Sequence, residues 1–172
     1  MTVPMTMLAL LQHQPNHGFA LKQRYDELFG QERDLRPAQV YSTLTRLERD
    51  GYLSDLGFEK GSAADKRLYA ITDSGVTTVH HWIRTPSLPV GRPTELFTKV
   101  VLALVAGLDP RDVLDSHRDL YLARMREITA ARRAGDVVDR LAGDYEIAHL
   151  SADLDWIETA GRRLGDLTKE LS

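Results

Sequence analysis

Polar side chains between residues 36 and 46 carry the most specific chemistry in this sequence. On a helix that opens at residue 37, most of them share the face opposite an apolar stripe, Val40, Leu44 and Leu47. The set is Arg36, just before the helix, and Gln39, Tyr41, Ser42, Thr45 and Arg46 within it. Gln can pair bidentately with adenine and Arg with guanine in the major groove of DNA, while Ser and Tyr hydroxyls can bind phosphate. A merely solvated face would favour Glu and Lys, and no acid occurs in the helix before Glu48, so we predict that this face contacts DNA.

Three cations, Lys60, Lys66 and Arg67, bracket a predicted β-hairpin. A hairpin of this kind can lie along the DNA backbone, where Lys and Arg neutralise phosphates. The alternative is that the lysines only blunt an exposed strand edge. We predict a phosphate contact for Lys66 or Arg67.

Other kinds of chemistry find no support in the sequence. The absence of cysteine excludes a thiol nucleophile, a disulfide framework and a zinc–thiolate site. No glycine-rich phosphate loop, His-Glu-x-x-His helix or Gly-x-Ser-x-Gly elbow occurs. His80 and His81 are adjacent on a predicted helix and point about 100° apart, so they do not form a metal pair. We therefore predict no enzymatic activity, no metal and no cofactor.

Length and composition indicate an ordinary globular protein. The chain has 172 residues, 42% of them hydrophobic and 27% charged, with a net charge of −3. No apolar run is long enough to span a bilayer, and the apolar residues 1–12 lack the flanks of a signal peptide. We expect a helix of the mature protein there, no membrane association and a cytoplasmic location. Residues 1–85 hold ten basic and ten acidic side chains, and this neutrality argues mildly against a nucleic-acid partner.

The first half of the chain alternates between helical and strand periodicity. Asn16 is the expected N-cap of its second helix and Thr72 that of its fourth. The predicted elements are helices over 4–12, 17–29, 37–50 and 73–84, and two strands over 51–60 and 66–71. This order is that of a winged helix-turn-helix with a two-stranded wing. Its predicted core is Leu8, Leu11, Leu21, Tyr25, Leu44, Leu47 and Val79.

A proline-rich segment divides the chain. Three prolines within 86–93 cannot continue a helix, so we interpret this stretch as a linker between domains 1–85 and 94–172. The second domain is predicted to be all helical, and its last segment carries a 4-3 apolar stripe typical of a coiled coil. We predict dimerisation through Leu150, Leu154, Trp156, Ile157, Leu164 and Leu171. Trp156 could instead line an effector pocket, although packing is the favoured interpretation.

Three segments of the first half resemble the PadR family of transcriptional regulators. They are Pro-Asn-His-Gly-Phe-Ala-Leu at 15–21, Val-Tyr-Ser-Thr-Leu-Thr-Arg-Leu-Glu-Arg-Asp-Gly-Tyr-Leu at 40–53, and Lys-Arg-Leu-Tyr-Ala-Ile-Thr-Asp-Ser-Gly at 66–75. In the second half, Lys99 and Ala-Asp-Leu-Asp-Trp-Ile at 152–157 are similar to the virulence-activator type of C-terminal domain in one subfamily. The resemblance implies a repressor that is released by a small-molecule effector or a stress signal.

Together these observations predict a mainly α (α+β) protein, with an N-terminal winged helix-turn-helix and an all-helical dimerisation domain. We expect a homodimer on a pseudo-palindromic double-stranded operator, because one winged helix reads only a few base pairs. Two alternatives stay open. The winged helix could be a protein–protein adaptor without DNA binding, which the neutral first half and the Ser-Ala-Ala-Asp hairpin tip at 62–65 favour. The helical half could bind a ligand or act as an enzyme, although no convergent polar cluster supports this.

Overall fold

The secondary structure follows the predicted order, with one additional short strand. The computed structural model describes residues 2–30, 35–59, 66–89, 95–133 and 136–171, with residues 59 and 165–171 described through their backbone only. The elements are α1 (Thr2–Leu10), β1 (Asn16–His17), α2 (Gly18–Phe29), α3 (Pro37–Arg49), β2 (Leu53–Glu59), β3 (Lys66–Ile71), α4 (Asp73–Arg84), α5 (Glu95–Val105), α6 (Pro110–Ala131) and α7 (Val137–Leu171). They form two compact units, Met1–Ile83 with Val105–Gly107 and Arg84–Leu104 with Leu108–Ser172. The mainly helical fold class with a small antiparallel sheet is confirmed.

The first unit has its own apolar core, where α1, α2 and α3 pack on one another. All the predicted core residues are buried: Leu8, Leu11, Leu21, Tyr25, Leu44, Leu47 and Val79. Each such side chain contributes about 1.5–3 kcal/mol when it leaves water. The helical periodicity therefore identified the inward faces of these helices.

A third strand extends the predicted two-stranded hairpin. β1 pairs with β3, so the antiparallel sheet has the order β1-β3-β2. The prediction that Asn16 caps α2 is wrong, because Asn16 lies in this strand and His17 is the N-cap. Nδ1 of His17 accepts a hydrogen bond from the Ala20 N–H at 3.2 Å. A strand of two residues is too short to carry an alternating pattern, so periodicity did not reveal it.

The passage from α3 through the wing to α4 depends on a threonine and a glycine. Thr72 caps α4 as predicted: its Oγ1 accepts a hydrogen bond from the Gly75 N–H at 3.1 Å and donates to the Gly51 carbonyl oxygen at 2.8 Å. Gly75 leaves no room for a side chain, since a Cβ there would lie 2.4 Å from the carbonyl oxygen of Tyr52. Thr-x-x-Gly after the wing is therefore a packing requirement of this junction.

Three residues of the predicted dimer stripe are buried within the chain itself. Leu150, Ile157 and Leu164 are buried although no second chain is present, because α7 packs along α6. A Cβ at Gly161, between these residues, would lie 4.0 Å from a methyl group of Leu114 in α6. A 4-3 stripe shows that a helix has an apolar partner, and here that partner is a helix of the same chain.

The remaining predicted dimer residues are less enclosed. Leu154 and Trp156 are half-buried, and the Trp156 ring meets Phe97 of α5 edge-on, with 6.3 Å between ring centroids. The side chain of Leu171 lies outside the described residues. No helix in the described part of the chain is both long and apolar enough to cross a bilayer.

A buried polar cluster ties residues 85–87 to α5 and α6. Lys99, which is 1% exposed, donates hydrogen bonds to the Thr85 carbonyl oxygen at 2.7 Å and to Ser87 Oγ at 2.9 Å. Its Nζ also lies 3.2 Å from a carboxylate oxygen of Glu95. His117 of α6 is fully buried and accepts a hydrogen bond at Nε2 from the Ser87 N–H. Burial lowers the pKa of both Lys99 and His117.

Candidate nucleic-acid interface

One face of α3 is exposed and polar along its whole length. Its inward residues Val40, Leu44 and Leu47 are buried, as the apolar stripe predicts. The residues of this segment that were predicted to contact DNA are all exposed: Arg36, Gln39, Tyr41, Ser42, Thr45 and Arg46. A helix about 10–12 Å wide fits the major groove, so this face can approach base edges.

The first turn of α3 restrains Gln39. The Arg36 N–H donates to Oε1 of Gln39 at 3.1 Å, and Ser42 Oγ donates to the Gln39 carbonyl oxygen at 3.1 Å. Gln39 thus satisfies an unpaired backbone donor at the start of its own helix. The amide donors of Gln39 are available for a base edge, and a bidentate contact with adenine would use the second lone pair of Oε1 or replace this hydrogen bond.

Tyr41 lies against the start of α2. A Cβ on Gly18 would lie 2.7 Å from Cε1 of the Tyr41 ring, so only glycine allows this approach. Half of Tyr41 nevertheless remains exposed. The ring is therefore held in place while part of it faces the solvent beside the polar face of α3.

Arg46 is the cation best placed on this face. No hydrogen bond or ion pair within the described part of the chain engages its side chain. The acids near the end of α3 have cationic partners of their own: Glu48 pairs with Arg67 at 2.8 Å and Asp50 with Arg49 at 2.8 Å. The positive charge of Arg46 is consequently available at the surface.

The wing holds its two described cations differently. Lys66 is exposed, and its Nζ lies 5.5 Å from the ring centroid of Phe19. Arg67 instead donates from Nε to Asp55 Oδ2 at 2.7 Å and from Nη2 to Glu48 Oε1 at 2.8 Å. Lys60, the third predicted contact, lies outside the described residues.

Two exposed apolar surfaces were not predicted from the sequence. The first third of α7 exposes Val137, Val138, Leu141 and Tyr145, and the wing strand β2 exposes Leu56 and Phe58. On α7 the residues recur at i, i+4 and i+8, which is the spacing of one helix face. That spacing was the available signal, but the prediction of the interface rested on the longer 4-3 stripe further along the helix, at residues 150–171.

Comparison with known proteins decides the family. Residues 7–81 match the transcriptional regulator PadR-like family. The chain is 30% identical over 134 residues to the probable transcriptional regulator Rv1176c of Mycobacterium tuberculosis, and the match covers 74% of this chain and 70% of that protein. The chain belongs to the PadR-like family.

Other PadR-family proteins match over most of the chain. The negative transcriptional regulator PadR of Bacillus subtilis is 24% identical over 148 residues, which cover 86% of this chain and 75% of that protein. The crystal structure of Bacillus subtilis PadR in complex with operator DNA is 20% identical, covers 92% of this chain and 96% of that one, and has a TM-score of 0.48.

The family match makes this chain a transcriptional regulator and not an enzyme. The matched residues run from α1 into α4, so they contain α3, the wing and every residue predicted to contact DNA. The family predicted from the sequence motifs is confirmed.

Proposed function

We propose that this PadR-family regulator binds double-stranded DNA, with α3 in the major groove and Lys66 of the wing on the phosphate backbone. The observation that carries the proposal is the exposed polar face of α3, on which Arg46 has no partner within the described residues. Glu48, the one acid of α3, is paired with Arg67. The supporting argument is that DNA contact requires local positive charge, which this face keeps although residues 1–85 are neutral in sum.

Specificity in this proposal comes from a few side chains. Arg46 reaches a guanine edge, and a good bidentate contact of this kind is worth about 1–3 kcal/mol of discrimination. Ser42 and Thr45 reach base edges or phosphates, and Tyr41 and Arg36 reach the backbone. Gln39 contributes through its amide donors, while its Oε1 accepts the hydrogen bond from the Arg36 N–H.

We further propose that the regulator acts as a homodimer. A two-fold dimer places two recognition helices on a pseudo-palindrome with half-sites about 34–36 Å apart or a multiple of it. The exposed apolar residues at the start of α7 support self-association, because a contiguous apolar patch on a helix favours a partner. Among the five predicted residues whose burial the structure describes, Leu154 and Trp156 are half-buried, whereas Leu150, Ile157 and Leu164 are buried.

Repression is the direction of regulation that we propose. It is supported by the Bacillus subtilis relative, which is named a negative transcriptional regulator. Release by a small-molecule effector or a stress signal follows from the family resemblance, and a cytoplasmic location agrees with a role on DNA. A thermal-shift screen against metabolites, followed by a DNA-release assay with each hit, identifies an effector.

A protein–protein adaptor is the second candidate function. Phe58 is 70% exposed and Leu56 is also exposed on the same wing strand, and apolar side chains at a surface suit a protein partner better than a phosphate backbone. An adaptor of this kind would bind no duplex at any salt concentration.

The test is a binding selection followed by a salt series. The full-length protein selects duplexes from a random library, and its affinity for the selected duplex is measured between about 50 and 200 mM salt. A dimer that contacts roughly 6–10 phosphates loses about 10³–10⁵ in affinity over this range. A protein that selects no sequence, or whose affinity does not respond to salt, contradicts the proposed function.

A further inference from the structure

Arg67 lies between two carboxylates that belong to different elements. Its Nε donates to Oδ2 of Asp55 in β2 at 2.7 Å, and its Nη2 donates to Oε1 of Glu48 in α3 at 2.8 Å. The guanidinium carbon also lies 5.4 Å from the ring centroid of Tyr69, two residues along β3. One side chain therefore connects the last turn of α3 with both long strands of the wing.

Asp55 in turn shapes the wing. Its Oδ1 accepts a hydrogen bond from the Gly57 N–H at 2.8 Å, and Gly57 has φ +88°, which glycine adopts far more readily than other residues. The pairing register of β2 and β3 shifts between Asp55 and Phe58, so the bulge lies at this hydrogen bond. The Gly57 N–H and the Arg67 guanidinium hold the pKa of Asp55 below its ordinary value. Its carboxylate is thus charged, and it serves the bulge and the arginine together.

The local charge is unfavourable for a phosphate contact by Arg67. The group formed by Arg67, Glu48 and Asp55 has a net charge of −1, and the side chains of the two acids are each about a quarter exposed. A phosphate approaching the guanidinium therefore meets two carboxylates as well. Lys66, the adjacent residue, has its described contact with the ring of Phe19 instead.

We propose that Arg67 is a positioning residue for DNA binding, which holds the wing against the end of α3 and makes no phosphate contact itself. This role rests on the proposed function, since it matters only where α3 and the wing meet one duplex. The planar fork of arginine can bridge two carboxylates, whereas the compact ammonium of lysine presents a point charge. Shape and not charge alone is therefore required at position 67.

The test uses full-length proteins and the duplex that the wild type selects. Arg67→Gln, Arg67→Lys and Asp55→Asn are compared with Lys66→Gln, the neighbouring cation, by fluorescence anisotropy over a salt series. We expect both Arg67 variants to weaken binding roughly three- to tenfold, as for a small network of partly exposed ion pairs. The slope of log Kd against log salt should stay that of the wild type for these variants, and fall by about 0.9 per subunit for Lys66→Gln.

Asp55→Asn is the most discriminating variant, because a positioning role and simple electrostatics predict opposite changes in DNA affinity. It keeps the acceptor for the Gly57 N–H but removes a negative charge, which by electrostatics alone would tighten DNA binding. We expect weaker binding, because Arg67 loses its charged partner. Glu48→Gln leaves the other two residues in place and should also weaken binding, so it serves if an Arg67 variant does not fold.

Three results would overturn the positioning role. They are a slope reduced by about 0.9 per subunit in Arg67→Gln, wild-type affinity in Arg67→Lys, and tighter binding by Asp55→Asn or Glu48→Gln. Each leaves wild-type DNA binding intact and so refutes this role alone. A wild-type protein that selects no duplex refutes the proposed function, and this role with it.

Discussion

The ammonium of Lys99 donates a 2.7 Å hydrogen bond to the carbonyl oxygen of Thr85, one residue after α4 ends. A lysine so fully buried is rare unless its charge is paired. Here Glu95, one turn earlier in α5, supplies the opposite charge, and Ser87 supplies a second acceptor. The second unit therefore contains a buried polar cluster in which the removal of Lys99 takes a donor or a charge partner from three residues.

Lys99→Met should lower the free energy of unfolding by about 2–4 kcal/mol, because it removes the cationic partner of Glu95 and a donor to the Thr85 carbonyl oxygen. The matched control is Arg162→Met. Arg162 forms an ion pair of the same i, i+4 spacing with Glu158, but on the surface, and such exposed pairs contribute about 0.3–0.5 kcal/mol. Chemical denaturation of both variants measures the two values. Equal losses would show that burial of Lys99 has no energetic consequence.

His117 should make stability fall as the medium becomes acidic. Burial lowers the pKa of His117 in the folded protein below its ordinary value of 6.5, so between these two values the unfolded chain binds more protons than the folded one. Stability is therefore fully present above the unfolded pKa and is lost as the pH falls toward the folded pKa. Protonation would also place a proton on Nε2, which then could not accept the hydrogen bond from the Ser87 N–H.

The measurement is the free energy of unfolding between about pH 7 and pH 5, where the ordinary pKa of histidine lies. His117→Gln should flatten the pH dependence. Nδ1 of His117 lies 2.8 Å from the Val113 carbonyl oxygen, one turn earlier. His149→Gln is the control, since Nδ1 of His149 lies 2.9 Å from the Tyr145 carbonyl oxygen in the same way, but His149 is exposed. If His117→Gln and the wild type have the same pH slope, His117 does not govern acid stability.

Two glycine substitutions should change the stability of the protein in opposite directions. Gly75→Ala forces a methyl group against the carbonyl oxygen of Tyr52 and should destabilise by about 1–3 kcal/mol. Gly161→Ala places the same group in the interior of α7 at an ordinary 4.0 Å from Leu114, and should stabilise by about 0.5–1 kcal/mol through helix propensity. Thermal unfolding of the pair checks both signs, and a stabilising Gly75→Ala would contradict the described junction.

The proposed dimer interface predicts that loss of dimerisation and loss of stability can be separated by substitutions at two positions of α7. Leu141→Asp places a charge in the exposed apolar surface of α7 and should give a folded monomer. Leu154 is half-buried and lies between the buried Leu150 and Ile157 on the stripe, so Leu154→Asp should lower stability more than it shifts association. Sedimentation and thermal unfolding on the same samples separate the two effects. Should Leu154→Asp be the monomeric variant, the interface lies along the stripe predicted from the sequence.

The first unit was largely predictable because its signals are local. The apolar spacing of Val40, Leu44 and Leu47 and the cap at Thr72 specify helices within a few residues of themselves. The polar face of α3 follows from the same spacing, since whatever is opposite a buried stripe must be exposed.

The remaining features depend on partners that are distant in the sequence. The pairing of Arg67 with Glu48 joins residues 19 positions apart, and no pattern in either segment predicts this contact. The burial of Ile157 in α7, which packs along α6, has the same origin, because an apolar stripe does not show which helix covers it. Arg67 was accordingly predicted as a phosphate contact, and its two carboxylates became visible only once the strands and α3 were placed together.

The central claim is that α3 reads DNA sequence through Arg46 while the wing contacts the backbone. Repeating the binding selection with Arg46→Ala and with Lys66→Ala tests it most directly. The account predicts that Arg46→Ala loses preference at one base pair of each half-site, by about 1–3 kcal/mol. Lys66→Ala should weaken binding to all sequences alike and leave the preferred motif unchanged. An unchanged motif for Arg46→Ala, or a new motif for Lys66→Ala, would contradict it.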